Sequence, residues 1–385
     1  MEKTAEVVII GGGAVGLSTA YHLAKRGLNG VVLLEKDFLG EGSTGRCTGG
    51  VRLDFSTEVN VRFSLEAFAV IDRFKEEFGV DPEFRRVGYL MLASTEPQLE
   101  QFKANQVLYA RLGIRDVELL TPDEVQSRWP YVQTDDLLGA TSCARDGFMG
   151  PAEVVEGYRR RARELGAKIY QQTRATGIEV SSGRVLSVRT EKGSISTRTV
   201  VNAGGPFAAE IGRMVGIDIR VEPIRRQIFV SGPIPAIEGV VPVIIDLQRG
   251  TAYRREGQGF LLYGPRDVEP SHNTVTDWEG MVWAVEQARQ RIPAMARAEV
   301  VGEWAGTYEI SPDNHAIMGP VPGVEGFLVA NGFSGHGFMH SPVTGRLMAE
   351  FILDGEARTI DVSSLSIERF AAGETFEERL TTHSH

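Results

Sequence analysis

The 385-residue chain has only two cysteines, Cys47 and Cys143, far apart and without CxxC spacing. That excludes a disulfide framework and a cysteine-rich zinc site, and it fits a reducing, cytoplasmic setting. Lysine is scarce, at 7 residues against 34 arginines, and acids outnumber bases to leave a net charge of −10. Such an acidic body lacks the basic footprint that nucleic-acid binding needs. No apolar run reaches the roughly 20 residues required to span a bilayer. The first residues carry neither a charged n-region nor an A-x-A cleavage site, so no secretory signal is expected. Histidines are few and scattered, and the acids lack ligand spacing, so no metal site is expected. No GxSxG elbow stands out, which disfavours a hydrolase. Internal repeats are also missing.

What is abundant is glycine, 44 residues, above the usual share of roughly 7%. The first glycines sit in a readable frame. Residues 5–10 (AEVVII) read as a strand buried on both faces. Gly11–Gly16 (GGGAVG) breaks it, residues 17–26 continue at helical spacing, and Gly27 stops them. Val31–Leu34 is a second strand ending at Glu35. This strand–turn–helix–strand–acid order gives Gly11-x-Gly13-x-x-Gly16 the context of a dinucleotide fingerprint. Gly11 permits the tight turn, Gly13 lets the backbone approach a pyrophosphate, and Gly16 lets helix and strand pack. Glu35 suits ribose hydroxyls and disfavours a 2′-phosphate.

Further along, helices are expected at 58–78, 96–112, 121–128, 151–165, 278–291 and 343–353. Thr121 and Glu124 form a capping box. Strands are expected at 87–93, 200–203, 224–230, 243–245, 251–254, 260–263, 300–308 and 326–330. Residues 167–199 read as a meander of four short strands.

The fingerprint alone leaves NAD and FAD open. Two more glycine-rich loops favour FAD, one at 40–50 (GEGSTGRCTGG) and one at 331–338 (NGFSGHGF). A flavin is bulky and needs backbone donors along its whole length. The positive end of the last helix, near Met339, would face its pyrimidine end.

The chain resembles the D-amino acid oxidase superfamily of FAD enzymes, in the branch of glycine oxidase, sarcosine oxidase and the L-proline dehydrogenase β subunit. The carriers are GGGAVG with Glu35-Lys36, GSTGRCTGGVR (42–52), VVNAGGPFA (200–208), SPDNHAIMG (311–319) and NGFSGHGFMHSPVTG (331–345). The resemblance implies an α/β fold, with a doubly wound FAD-binding domain (1–80, 145–217 and 318–365) interleaved with a mainly antiparallel-sheet substrate domain (81–144 and 218–317). It implies that Gly11, Gly13, Ala14, Val15 and Gly16 hold the pyrophosphate, with Glu35 and Lys36 at the adenosine and Ala175 at the adenine. Ser43, Thr44, Arg46, Thr48, Gly49 and Gly50 would run beneath the ribityl chain and ring. Ala203 and Gly204 would line the cofactor. Gly332, Phe333, Ser334, Gly335, His336, Gly337, Phe338 and Met339 would close over the pyrimidine. On the substrate side, Arg52 would bind a carboxylate, Tyr253 and Tyr308 would face the substrate, and His336 would lie near the ring.

Departures shape the expectation. Gly306 stands where sarcosine oxidases tether FAD to cysteine, and 42–50 has no histidine, so FAD is expected to be noncovalent. Met339 replaces a second carboxylate-binding cation. Leu261 replaces the lysine that promotes oxygen reaction, and a family histidine is missing near Pro265. The implied activity is oxidation of the C–N bond of a small, secondary amino acid such as sarcosine, with electrons passed to oxygen or another acceptor. The alternatives are a proline dehydrogenase β subunit working with a partner chain, or an FAD-binding assembly protein without turnover.

Overall fold

The computed structural model describes residues 1–380 apart from Pro265 and Val268. Two large sheets organise it. The first has six strands in the order 317–320, 327–331, 199–202, 7–10, 31–34 and 168–170. All neighbours are parallel except the first pair, 317–320 with 327–331. Val7–Ile10, Val31–Leu34 and Phe327–Asn331 are buried at every position, as strands covered on both faces must be. The second sheet has eight strands, in the order 300–310, 222–231, 259–264, 251–256, 243–246, 89–93, 139–143 and 117–120. It is antiparallel except where 243–246 meets 89–93. The α/β class and the mainly antiparallel second sheet are therefore as expected from the sequence.

Three expectations need correction. Lys168–Tyr170 leaves the meander and joins the edge of the parallel sheet beside Val31–Leu34, so the meander has three strands. The expected helix 58–78 is two, Glu58–Ile71 and Phe74–Phe78. The break turns Phe74 and Phe78 onto the ring of Tyr158. The last helix starts at Gly337, six residues before the expected start, with Pro342 inside it. Proline cannot donate to the Phe338 carbonyl, and the Ser341 hydroxyl takes that carbonyl instead, at 2.8 Å. Short strands at Gly50–Val51, Val117–Leu120, Gly139–Cys143, Gly147–Phe148 and Ile317–Pro320 carry too little pattern to be read in advance.

Three parallel strands end at the same edge, at Ile10, Asn202 and Asn331, with glycine one or two residues on, at Gly11, Gly204 and Gly332. A crevice outside the carboxyl ends of such strands is where α/β folds bind ligands. The helix Ala14–Lys25 begins there and packs on the last helix, Gly337–Asp354. Gly345 lies so close to Ser18 that a Cβ would collide with it.

Candidate functional site

A cleft of about 160 Å³ opens at this edge. Its floor is Gly11–Val15 at the start of the first helix, its sides are Glu35–Asp37 and Ala203–Phe207, and its far end is Thr307–Glu309 with Gly335, Gly337 and Phe338. Gly11 has φ +119°, and a Cβ there would be driven into the Ala203 carbonyl. Gly16 packs against the Gly11 carbonyl in the same way. Gly13 caps the helix without a side chain, leaving its positive N-terminal end facing the cleft. The Thr44 hydroxyl accepts from the Ala14 amide at 3.1 Å, which ties the second glycine loop to the first. Glu35 is oriented by the Gly12 and Asp37 amides, at 2.7 and 2.8 Å.

The cleft continues past Glu35 into a side pocket with Thr173, Ala175, Phe207 and Met214. The Lys36 ammonium lies 4.4 Å from the centre of the Phe207 ring there. These features fit a long dinucleotide. Bare backbone stands where a pyrophosphate must approach, an acid faces the ribose position, and an apolar slot suits a base.

At the other end, Cys47, Tyr308, Gly335 and Phe338 also border a second, smaller chamber. Its walls include Thr48–Gly50, Arg52, Tyr89, Met91, Tyr263, His336, Met339 and Leu380. Arg52 is 8% exposed. Its guanidinium lies 3.9 Å from the centre of the Phe55 ring, and its two terminal nitrogens donate to the carbonyls of Asp54 and Leu380. Among the described residues no carboxylate bonds the fork, which leaves a buried cation held by carbonyls beside the chamber. Gly335, at φ +97°, permits close approach of Tyr308, since a Cβ would sit 2.5 Å from that ring. The guanidinium of Arg226 lies 5.3 Å from the centre of the Tyr308 ring.

Several expected site residues lie elsewhere. Tyr253 does not reach the chamber. It pairs with Leu262 and Ile244, on the face packed beneath the helix Trp278–Arg291, and its hydroxyl bonds Thr251 at 2.8 Å. Its strand neighbour Ala252 pairs with Tyr263, whose ring is on the chamber face. Strand period two puts adjacent residues on opposite faces. The chamber tyrosines are therefore Tyr89, Tyr263 and Tyr308. We expect Tyr263→Phe to change substrate KM several-fold. Tyr253→Phe should leave KM alone and lower stability by about 1 kcal/mol, the value of one buried hydrogen bond. Steady-state kinetics and thermal melts of the two variants check this.

Arg46 also turns away. It lies across the strand Val300–Ile310, donating to the Ala305 carbonyl at 3.0 Å. Gly306 makes room for it, since a Cβ there would press on the Arg46 side chain at 2.9 Å. Phe333 is packed in the core, and Gly332 lies against Ser311 and Ile317. Both of their amides lie near enough to the Glu309 carboxylate to oppose the rise in its pKa. His336 borders the chamber, but both ring nitrogens are engaged. Nε2 faces the Asn314 carbonyl at 3.1 Å and Nδ1 faces His340 Nδ1 at 3.3 Å. Burial pushes its pKa down to about 3, so it is neutral. A neutral ring must donate from Nε2 to a carbonyl, and so Nδ1 accepts from His340. His336 thus positions the loop and is not a proton donor to the chamber. Leu261 is fully buried in its strand, and Pro265 lies outside the described residues.

Sequence reasoning missed a buried acid in the cleft. The Glu309 carboxylate lines the cleft, and its Oε2 is buried without a hydrogen-bond partner. Burial raises its pKa to about 7. An acid in a strand beside Tyr308 carries no sequence signal of this. The folded protein holds that proton more tightly than the unfolded chain does. The resulting stability is present below the ordinary glutamate range and is lost as pH rises through about 7. The FAD-free protein should therefore lose at most about 3 kcal/mol through this group on going from pH 4 to pH 8. Glu309→Gln should remove that slope and melt higher than the parent at pH 8. Melts of both apoproteins across this range measure the difference.

The fold and the glycine-lined cleft define a dinucleotide-binding flavoprotein of the two-sheet type. Residues 6–351 match the family described as "DAO: FAD dependent oxidoreductase", and the chain belongs to that family. Its cofactor is FAD. It is 29% identical over 374 residues to the mitochondrial dimethylglycine dehydrogenase of Rattus norvegicus, covering 91% of this chain and 43% of the relative. It is 30% identical over 386 residues to the mitochondrial sarcosine dehydrogenase of Mus musculus, covering 96% of this chain and 42% of the relative. The chain thus spans less than half the length of these relatives. Among solved structures, L-proline dehydrogenase from P. horikoshii superposes with a TM-score of 0.89 at 31% identity, covering 97% of this chain and 99% of that one. Among the described residues, no helix is long and apolar enough to cross a membrane.

Proposed function

We propose that this protein oxidises the C–N bond of a small amino acid, of the secondary class to which sarcosine and proline belong. The observation that carries the reading is the chamber that shares Tyr308, Gly335 and Phe338 with the cofactor cleft and is lined by one buried arginine. In this reading the pyrophosphate lies over Gly11, Gly13, Ala14 and Val15, with Glu35, Lys36 and Ala175 at the adenosine end. Ser43, Thr44, Ala203 and Gly204 flank the middle, and Gly335, Gly337 and Phe338 meet the ring end. Bound there, FAD supplies a two-electron acceptor. In this reading the parallel sheet carries most of the cofactor cleft, and Tyr89, Met91 and Tyr263 of the second sheet wall the chamber.

Arg52 would take the substrate carboxylate. A guanidinium fork already oriented by two carbonyls loses little entropy on binding, and its unused N–H groups suit a carboxylate. Tyr89, Tyr263 and Tyr308 would enclose the carbon skeleton and exclude water. No cation besides Arg52 borders the chamber among the described residues. Among the described residues no carboxylate lines it, and Arg52 repels a second cation, so the neutral amine that oxidation requires is favoured over the ammonium. Loss of two electrons and two protons from the C–N bond leaves an imine, which water hydrolyses.

FAD should be noncovalent. Gly306 offers no tether, and the Cys47 thiol, free and pushed up to about 11 by burial, is a poor nucleophile. Acid precipitation should leave the yellow colour in the supernatant. The two unpaired cysteines accord with a cytoplasmic protein. The near-complete overlap with the P. horikoshii proline dehydrogenase favours one second reading, a dehydrogenase that takes proline; the partner chain expected from the resemblance would then supply its electron acceptor.

The deciding experiment is anaerobic mixing of the holoprotein with sarcosine, proline, N-methyl amino acids and glycine. Bleaching of the flavin band by a secondary amino acid supports the reading. Persistence of the band with every amine would indicate an FAD-binding assembly protein instead. Peroxide formed in air by the isolated chain would indicate an oxidase, and its absence a dehydrogenase that needs another acceptor.

A further inference from the structure

The last described residues belong to this chamber, although they lie far from every motif in sequence. Leu380 is 2% exposed and lines the chamber beside Arg52, in one apolar cluster with Tyr89 and Met91. Its carbonyl accepts from Arg52 Nη2 at 2.7 Å.

The segment leading to it is clamped by polar contacts. Glu378 is fully buried. One of its oxygens accepts from the amide and hydroxyl of Ser56, both at 2.7 Å, and from the Leu380 amide at 3.1 Å. The other accepts from the Thr57 hydroxyl at 2.9 Å and the Asn60 amide at 3.0 Å. The Arg379 amide donates to the Ser56 hydroxyl at 2.9 Å, and the Glu378 amide to the Asp313 carbonyl at 3.1 Å. Phe376 packs on His315 with ring centres 4.1 Å apart. A surface tail does not bury an acid, because removing a carboxylate from water is costly unless its lone pairs are satisfied. Here five donors satisfy it. Ser56, Thr57 and Asn60 follow Arg52 by four to eight residues, so the stretch that presents the arginine also anchors the segment.

We propose that Phe376–Leu380 is a specificity strap: Leu380 sets the room left for a ligand's carbon skeleton above Arg52, and its carbonyl fixes the angle of the guanidinium fork. The proposal rests on reading the chamber as a carboxylate site. It concerns size, since a branched apolar side chain inserted beside the fork limits the skeleton that the fork can hold. Glu378 is a positioning residue, acting through Leu380.

The test uses the FAD-loaded protein and three carboxylates of rising bulk: acetate, benzoate and 2-naphthoate. Binding is read from the change that each makes in the visible flavin spectrum. Leu380→Ala should tighten 2-naphthoate relative to acetate by about tenfold, the worth of the methylenes removed from a packed wall. Leu380→Phe should shift the ratio the other way. Glu378→Gln, which cannot accept at all five positions, should broaden the profile as Leu380→Ala does. Thermal melts confirm that each variant is folded, and the phenylalanine variant keeps the question answerable if the alanine one is not. Wild-type selectivity in both Leu380 variants overturns the strap while leaving the carboxylate site standing. A parent protein that binds none of the three overturns the carboxylate reading, and the strap with it.

Discussion

Arg52→Ala should raise KM for the amino-acid substrate about a hundred- to a thousand-fold, with a smaller loss in kcat. The side chain is buried, and a carboxylate held by a buried fork loses about 3–4 kcal/mol when the fork is removed. The variant must also leave the carbonyls of Asp54 and Leu380 without their donor. A fall in melting temperature should therefore accompany the kinetic loss. Arg52→Lys separates the two effects. It keeps the charge but cannot donate to both carbonyls and a carboxylate in one plane. We expect it to recover part of the charge term, about tenfold in KM, and little else. An Arg52→Ala enzyme with unchanged KM and a normal flavin spectrum would remove the arginine from the substrate site.

Gly11→Ala should yield a colourless protein or none. At φ +119° an L side chain is strained, and the new methyl is aimed at the Ala203 carbonyl, part of a backbone with nowhere to move. The expected cost is about 4 kcal/mol or more, in the range of buried steric mutations with no relief. Gly13→Ala is the contrast. Its Cβ would meet only the Thr44 hydroxyl, at 3.0 Å, which can rotate away. That variant should fold with a near-parental melt yet bind FAD at least tenfold more weakly, since its methyl projects where the pyrophosphate approaches. Absorbance ratios at the protein and flavin bands, with melts of both variants, distinguish a glycine that the fold needs from one that the ligand needs.

The contrast between legible and illegible residues follows the range of the interactions involved. The fingerprint glycines, Glu35 and the first helix are set by contacts within one local unit, so residues 7–35 read correctly from composition and spacing. The capping box at Thr121 and Glu124 was legible for the same reason, its two partners being three residues apart. Gly204 and the loop before the last helix stood out because tight turns and close approaches, such as Gly335 to Tyr308, leave glycine behind. Pro342 misled because the residue that rescues it, Ser341, acts only once the helix exists.

The choice among tyrosines was beyond any local signal. Tyr253 and Tyr263 lie in similar apolar strands, and which one faces the chamber depends on the register Ala252–Tyr263. A slip of one residue would exchange them. Arg46 left its expected post because Gly306, some 260 residues away in sequence, opened a berth across another strand. Glu309 acquired its raised pKa from burial in a cleft assembled from segments far apart in sequence.

By itself, then, the sequence determined the class of fold, the dinucleotide frame and the side of it that meets a cofactor, because these depend on backbone freedom and periodicity over a few turns. Only the tertiary structure decided which aromatic rings border the chamber, which acid is buried in the cleft, and that Leu380 packs beside Arg52. Those outcomes depend on strand register and on burial, and neither exists until distant segments pack together.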